Sequence, residues 1–434
     1  MNLLFRIKTL CAGFIITASV VFASVLGTIA PAAATELTLD AALKKALADD
    51  LWLKANAQQQ QAIVALSEVD STLPDPVMSV GLVNLAADSL AFNQEPMSQL
   101  KIGISQKFAR GDSLALKRSQ RLQQSKTYPL MRQVRQAQIT KALSQHWLTL
   151  YHNAQAIRLI EQQRPTLEQL ISSAERSYGA GLGSVKQSDI TAAQLDLLLL
   201  DDRVLSYQTN FNALKQQLNS WLPAQALMQP LALEVMHNQP QINASSINWL
   251  NQLSQHPEVL VVAQQVDVLK QGVDLAKESE KPQWGVSASY GYRNSAPNGS
   301  SRADLFSVGL SVDLPIFSRD KQRQQVNAAQ ARVASKGTER LLLIQQLSAR
   351  AHSTLAKKQQ LMKRQQIFSQ TIVGKNRLQH QAALTNYGND LGQLSSILRS
   401  QLALINAHLT LLAISVELQQ LDIELNYLLT SVKP

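Results

Sequence analysis

Few residues in this chain are spaced to do chemistry. The seven histidines never fall four apart, the spacing that sets two imidazoles on one helical face to hold a metal. His146 and His152 are six apart and fall on different faces of a helix. Met236 and His237 stand side by side as a soft and a borderline ligand, though unrelated packing is the commoner reason for such a pair. Met78 and Met97 suit lipid or loop contacts better than copper. Cys11 is the sole cysteine. No glycine loop opens a helix to cradle phosphate, and no nucleophile elbow is present. Gly179, Gly181 and Gly183 make a Gly-x-Gly-x-Gly run, but it joins two helical stretches and reads as a turn. The sequence therefore nominates no catalytic, cofactor-binding or metal-ligating residue, and the expectation is a protein that is not an enzyme and uses no cofactor.

The elements say more than the side chains. The chain repeats itself: Pro74 recurs as Pro282, and Tyr178-Gly179 with Leu182-Gly183 recurs as Tyr387-Gly388 with Leu391-Gly392, an offset of 208 to 209 residues. A constant offset between separate landmarks points to internal duplication. Each copy reads as helix, β-hairpin, very long helix, glycine turn, long helix. The expected boundaries are 35–222 for the first repeat and 248–434 for the second, with an irregular, proline-bearing connection at 223–247.

Residues 1–34 read as a secretory signal peptide. Arg6 and Lys8 precede an apolar stretch, and Ala32-Ala33-Ala34 offers a small-residue cleavage site. Leu10-Cys11 lacks the small apolar flank of a lipoprotein signal, so no lipid anchor is expected. The net charge of +10 is scattered among glutamines without a basic stripe, which argues against nucleic acid as a partner. With a mean hydropathy of −0.09 and no run of 18 apolar residues, no transmembrane helix is expected.

The strand-like stretches carry the sharpest signal. Trp284, Val286, Ala288, Tyr290 and Tyr292 alternate with Gly285, Ser287, Ser289, Gly291 and Arg293. Phe306, Val308, Leu310, Val312 and Leu314 alternate with Ser307, Gly309, Ser311 and Asp313. In the first copy, Leu100, Ile102 and Ile104 oppose Lys101, Gly103 and Ser105. The strands are expected at about 76–85, 100–108, 284–293 and 305–314. An apolar face opposite a small or polar face fits either a half-buried soluble sheet or a transmembrane β-barrel; the flanking aromatics favour the barrel. Four strands cannot close alone, since about eight is the usual minimum, and lipid forbids an open edge. A membrane sheet would therefore require two or three copies of the chain.

Between Ser113 and Tyr178 there is no glycine, enough for a helix of roughly 100 Å, with Pro129 and Pro165 expected to bend it. Gly337 and Gly374 punctuate the second long stretch. Leu398, Leu402, Ile405, Leu409, Leu412 and Val416 step by fours and threes, as do Ile139, Leu143, Trp147, Leu150, Ala154 and Ile157, so coiled-coil-like seams are expected.

Leu37-Thr38-Leu39-Asp40-Ala41-Ala42-Leu43, His256-Pro257-Glu258-Val259, Val312-Asp313-Leu314-Pro315-Ile316-Phe317 and the two Tyr-Gly turns, taken in order, resemble the TolC-like outer-membrane efflux family over essentially the whole mature chain. The resemblance implies a mostly α protein with a β-barrel part: a homotrimer in which three protomers share a twelve-strand barrel in outer-membrane lipid and a periplasmic α-helical tunnel. It implies a periplasmic adaptor and an inner-membrane RND-type pump as partners, and passive export as the function. Leu73-Pro74-Asp75-Pro76, Gly81 with Asn84-Leu85, Pro96-Met97 and Ser105-Gln106 look most like the heavy-metal-efflux branch, whose cargo is copper, silver, cobalt, zinc or cadmium. On the family pattern, Tyr178, Gly179, Gly181, Gly183, Tyr387, Gly388, Leu391 and Gly392 would dock the adaptor, and Asp189 and Asp390 would narrow the tunnel. Asp189 falls two residues beyond the usual spacing, and Ser395-Ser396 and Arg399 occupy the corresponding region of the second copy. The alternatives are a soluble periplasmic coiled-coil adaptor and the same duct serving type I protein secretion.

Overall fold

A computed structural model describes residues 36–181, 185–233, 248–389 and 393–431. The leader with Cys11, the Met236-His237 pair, Gly183, Asp390, Leu391 and Gly392 lie outside the described residues.

The first half runs α1 (Leu39–Asp49), α2 (Leu51–Val69), β1 (Val77–Val83), β2 (Gln99–Lys107), α3 (Ser113–Ser125), α4 (Thr127–Gly179) and α5 (Gln187–Gln217). The second runs α6 (Trp249–Ser254), α7 (Pro257–Glu278), β3 (Gln283–Tyr292), β4 (Leu305–Asp313), α8 (Arg319–Ile367), α9 (Val373–Gly388) and α10 (Leu394–Leu428). Local chemistry sets several starts. Thr38, Asp50, Asn248 and His256 accept backbone N–H bonds as N-caps, each satisfying a donor the helix cannot. Pro257 occupies the first turn of α7, where its missing N–H costs nothing.

The long helices depart in part from the sequence expectation. Pro129 has no N–H to give the Ser125 carbonyl, and the chain breaks just there: Lys126 turns, its N–H bonding to Gln123 at 3.2 Å, and α4 begins at Thr127. Pro165, by contrast, lies inside an unbroken α4 of 53 residues, about 80 Å long. In the second copy the interruption is a π-helical turn at Phe368–Ile372, beside Gly374.

Leu398, Ile405 and Leu409 are buried with α4 and α5 side chains, and Leu402 and Leu412 pack at the margin of that cluster. The α4 seam holds only as far as Leu150. Ile139, Leu143, Trp147 and Leu150 are buried, but Ala154 and Ile157 are not, and the buried line passes to Ala156 and Ile160. A straight helix drifts against a seven-residue repeat unless it supercoils.

One helix, Leu394–Leu428, is long and apolar enough by length and composition alone to cross a membrane. Many of its apolar residues, among them Leu394, Leu398, Ile405, Leu425 and Leu428, are buried against α4, α5 and α8.

The four strands form one antiparallel sheet in the order β1-β2-β3-β4. The central pairing joins the two halves of the chain, with Ile102 opposite Tyr290 and Ser105 opposite Ser287. Among the described residues, no strand side chain belongs to any of the hydrophobic clusters.

Candidate functional site

The sheet segregates by residue parity across every register. Met78, Ile104, Ala288 and Val308 form one cross-strand row, and Val80, Ile102, Tyr290 and Phe306 the next. This face is exposed: Met78 68%, Val80 62%, Phe306 72%, Val308 73%. The opposite face carries Ser79, Gly103, Ser289 and Ser307 in one row and Val77, Ser105, Ser287 and Gly309 in another. All the charged strand residues, Lys101, Lys107 and Asp313, lie on this second face. Among the described residues, the outer edges of β1 and β4 pair with no other strand. A sheet with an uncovered apolar face and two open edges leaves apolar surface and backbone hydrogen-bonding groups to be met by lipid or by other chains.

A neck of crossed charges ties the sheet to the helices. Arg110 ion-pairs with Asp313 and donates to the Lys281 carbonyl at 2.8 Å. The Glu278 carboxylate accepts from the Asp112 N–H and from Lys281 Nζ, both at 2.8 Å. The hydrogen bond from Lys281 holds the Glu278 carboxyl below its usual range. Gly111 turns the chain here at φ +46°, and a Cβ on it would lie 2.0 Å from that carboxylate. First-copy residues 110–112 are thereby bound to second-copy residues 278–313.

The far ends of the long helices carry the expected turn residues. Gly181 adopts φ +66°, and its N–H bonds to the Tyr178 carbonyl at 3.1 Å. Gly179 and Gly388 instead close α4 and α9 in helical backbone, so of these three only Gly181 uses the freedom the sequence reading assigned to the turn glycines. Neither Gly179 nor Gly388 has an atom within 4 Å of where a Cβ would sit. Asp189 lies in the first turn of α5 and reaches back to accept from the Lys186 N–H at 3.4 Å, a capping contact.

A polar cluster at mid-height escaped the sequence reading. Glu424 on α10 is 8% exposed and pairs with Lys141 of α4 at 2.6 Å and with Arg350 of α8. Beside it, the Tyr427 hydroxyl donates to Glu258, and burial followed by that bond raises its pKa above the ordinary range. His256 Nδ1 accepts from the Glu258 N–H at 3.3 Å, while Nε2 lies 3.2 Å from the Tyr427 carbonyl. Those partners suit a neutral ring with its proton on Nε2, and burial pushes its pKa down. The one local signal was Glu424 itself, a carboxylate set among Ile423, Leu425 and Leu428. Among the described residues no group of three or more His, Cys, Asp or Glu side chains is placed to hold a metal.

The comparisons agree with this geometry. Residues 250–429 match the family model described as outer membrane efflux protein. No curated protein matches the sequence. Among solved structures, the chain superposes on CusC with a TM-score of 0.71 at 14% identity, covering 92% of this chain and 93% of that one. It superposes on the outer membrane protein VceC of Vibrio cholerae with a TM-score of 0.71 at 15% identity, covering 91% and 96%. For the CmeC outer membrane channel of Campylobacter jejuni the values are 0.71, 12%, 90% and 85%. At these identities the likeness is one of fold, extending over both repeats: long helices with a four-strand antiparallel sheet, as in the TolC-family channels. The family match assigns the second half of the chain to the outer membrane efflux proteins, and the protein is not an enzyme.

Proposed function

We propose that the chain is one protomer of a trimeric exit duct, with the sheet as its share of an outer-membrane barrel and the long helices as its share of a periplasmic tunnel. The observation that carries this reading is the four-strand sheet, with its exposed apolar face and both edges open. A soluble adaptor would have to bury that face, and nothing among the described residues covers it. Exposed leucines on the helices, such as Leu195, Leu198 and Leu199 on α5 and Leu341 and Leu342 on α8, give neighbouring copies apolar surface to meet. The duct moves its cargo passively, and an inner-membrane pump with a periplasmic adaptor drives it.

The adaptor docks at the helix ends, on Tyr178, Gly179, Gly181, Gly183, Tyr387, Gly388, Leu391 and Gly392, and Asp189 with Asp390 narrows the tunnel beside them. The open space around Gly179 and Gly388 makes the docking testable without disturbing the fold: Gly179→Trp with Gly388→Trp should leave the protein folded and abolish capture by the adaptor's helical hairpin. Capture that survives both changes removes the docking reading. The heavy-metal cargo rests on the resemblance of the first hairpin, Leu73 to Gln106; serving a protein-secretion exporter would use the same fold.

The deciding experiment is planar-bilayer conductance of the detergent-purified protein, with its mass measured in detergent. The expected result is a three-copy species that opens discrete channels, with larger unit conductance in Asp189→Ala. A water-soluble species without conductance overturns the duct.

A further inference from the structure

We propose that the barrel lumen is a basic passage that favours anions over cations, set by Lys101 and Lys107; the proposal rests on the exit-duct reading and names the class of solute that the duct passes most readily. Each charged residue of the four strands lies on the small-residue face, and with the apolar face turned to lipid that face lines the lumen. Of the three, Asp313 is neutralised by Arg110. Lys101 and Lys107 make no ion pair among the described residues and are exposed. The register sets their neighbours. Lys101 stands between Gly81 and Gly291, so no cross-strand side chain answers its charge, whereas Lys107 has Gly285 on one side and, two residues beyond the Val77–Ser105 pair, Asp75 on the other. The rows between them are serine and glycine.

The two lysines are six residues apart on β2, about 20 Å along the strand. One therefore sits toward the hairpin loops and the other at the neck, so that a closed barrel carries the Lys101 ring near the loop mouth and the Lys107 ring, beside Asp75, near the neck. Of the acids at the neck, Asp112 and Glu278 both contact Lys281, and Asp75, beside Lys107, offsets part of the lower ring. At the loop end Asp304 accepts from the Arg293 N–H at 2.9 Å and from the Tyr290 hydroxyl. Arg293 and Arg302 add positive charge there, donating to the carbonyls of Pro96, Asn93 and Glu95, against the exposed carboxylates of Asp88 and Glu95 in the first loop. Low-dielectric walls focus such a field down the lumen. A free divalent metal ion meets it with twice the penalty of a monovalent one. Anionic solutes, or metal carried in an anionic complex, are favoured.

The test is the reversal potential of the full-length protein in planar bilayers under a potassium chloride gradient. The expected result is a chloride preference that fades as salt rises from about 0.1 M to about 1 M, where the screening length falls from about 10 Å to about 3 Å. Lys101→Gln with Lys107→Gln should lower the chloride-to-potassium permeability ratio several-fold. A wild-type channel that is neutral or prefers potassium overturns the proposal, and so does a chloride preference unmoved by the double replacement. If the double variant fails to assemble, the sign of the wild-type potential decides. Absence of any channel removes the duct reading and this one with it, whereas channels of the wrong sign remove this one alone.

Discussion

At the scale of single residues, His256 shows how a side chain that looks like a candidate metal ligand is explained by its neighbours. It caps α7 through Nδ1, binds the Tyr427 carbonyl through Nε2, and packs edge-on to the Tyr427 ring. The charged groups facing it are Glu258 and Arg350. Burial holds its pKa below the ordinary 6.5, so the unfolded chain takes up a proton first as pH falls. Its contribution is therefore intact above about pH 6.5 and declines below it, toward the lower folded-state pKa. We expect the thermal midpoint to drop between about pH 7 and about pH 5, and to drop less in His256→Asn, which keeps a capping side chain but cannot titrate. Equal slopes in the two proteins would show that folding leaves the pKa of the ring unchanged. His152, His380 and His408 are also shifted down by burial and supply the slope that remains in the variant.

At the scale of elements, the neck is where the two repeats depend on each other most directly. Gly111 combines a left-handed backbone with a neighbouring carboxylate that leaves no space for a methyl group. The backbone alone costs about 1–2 kcal/mol for an alanine, and displacing Glu278 breaks its bonds to Lys281 and the Asp112 N–H as well. Gly111→Ala should therefore lower the unfolding midpoint measurably, while Gly337→Ala, in open space on α8, should be neutral or slightly stabilising. Equal behaviour of the two variants would argue that the neck carries no strain. The order of elements and the strand positions were legible in the sequence because period-2 and period-3.6 patterns depend only on near neighbours. The break at Lys126 and the π turn at Phe368–Ile372 were harder to read, since a proline states where a hydrogen bond is missing but not whether the helix bends, breaks or carries on.

At the scale of the whole molecule, the sheet sorts its environment by face. Ile102→Arg, placed in mid-strand on the apolar face, should cost about 2–4 kcal/mol of folding into vesicles. Ser307→Arg, on the other face, should cost far less. The comparison is read from the urea midpoint of each variant in lipid; a reversed order would mean that the apolar face lines the interior. Burial within one chain leaves this face bare, so the order expected here rests on the proposed barrel.

The sequence by itself determined the alternating strands and the long helices, because each of these is written in residues that lie close together along the chain. Only the tertiary structure decided that β2 pairs with β3 across the repeats, that Glu424 meets Lys141 and Arg350, and that Arg110 crosses to Asp313. Those contacts join residues separated by tens to hundreds of positions. Their partners are chosen by how the two repeats stack, and no local period encodes that choice.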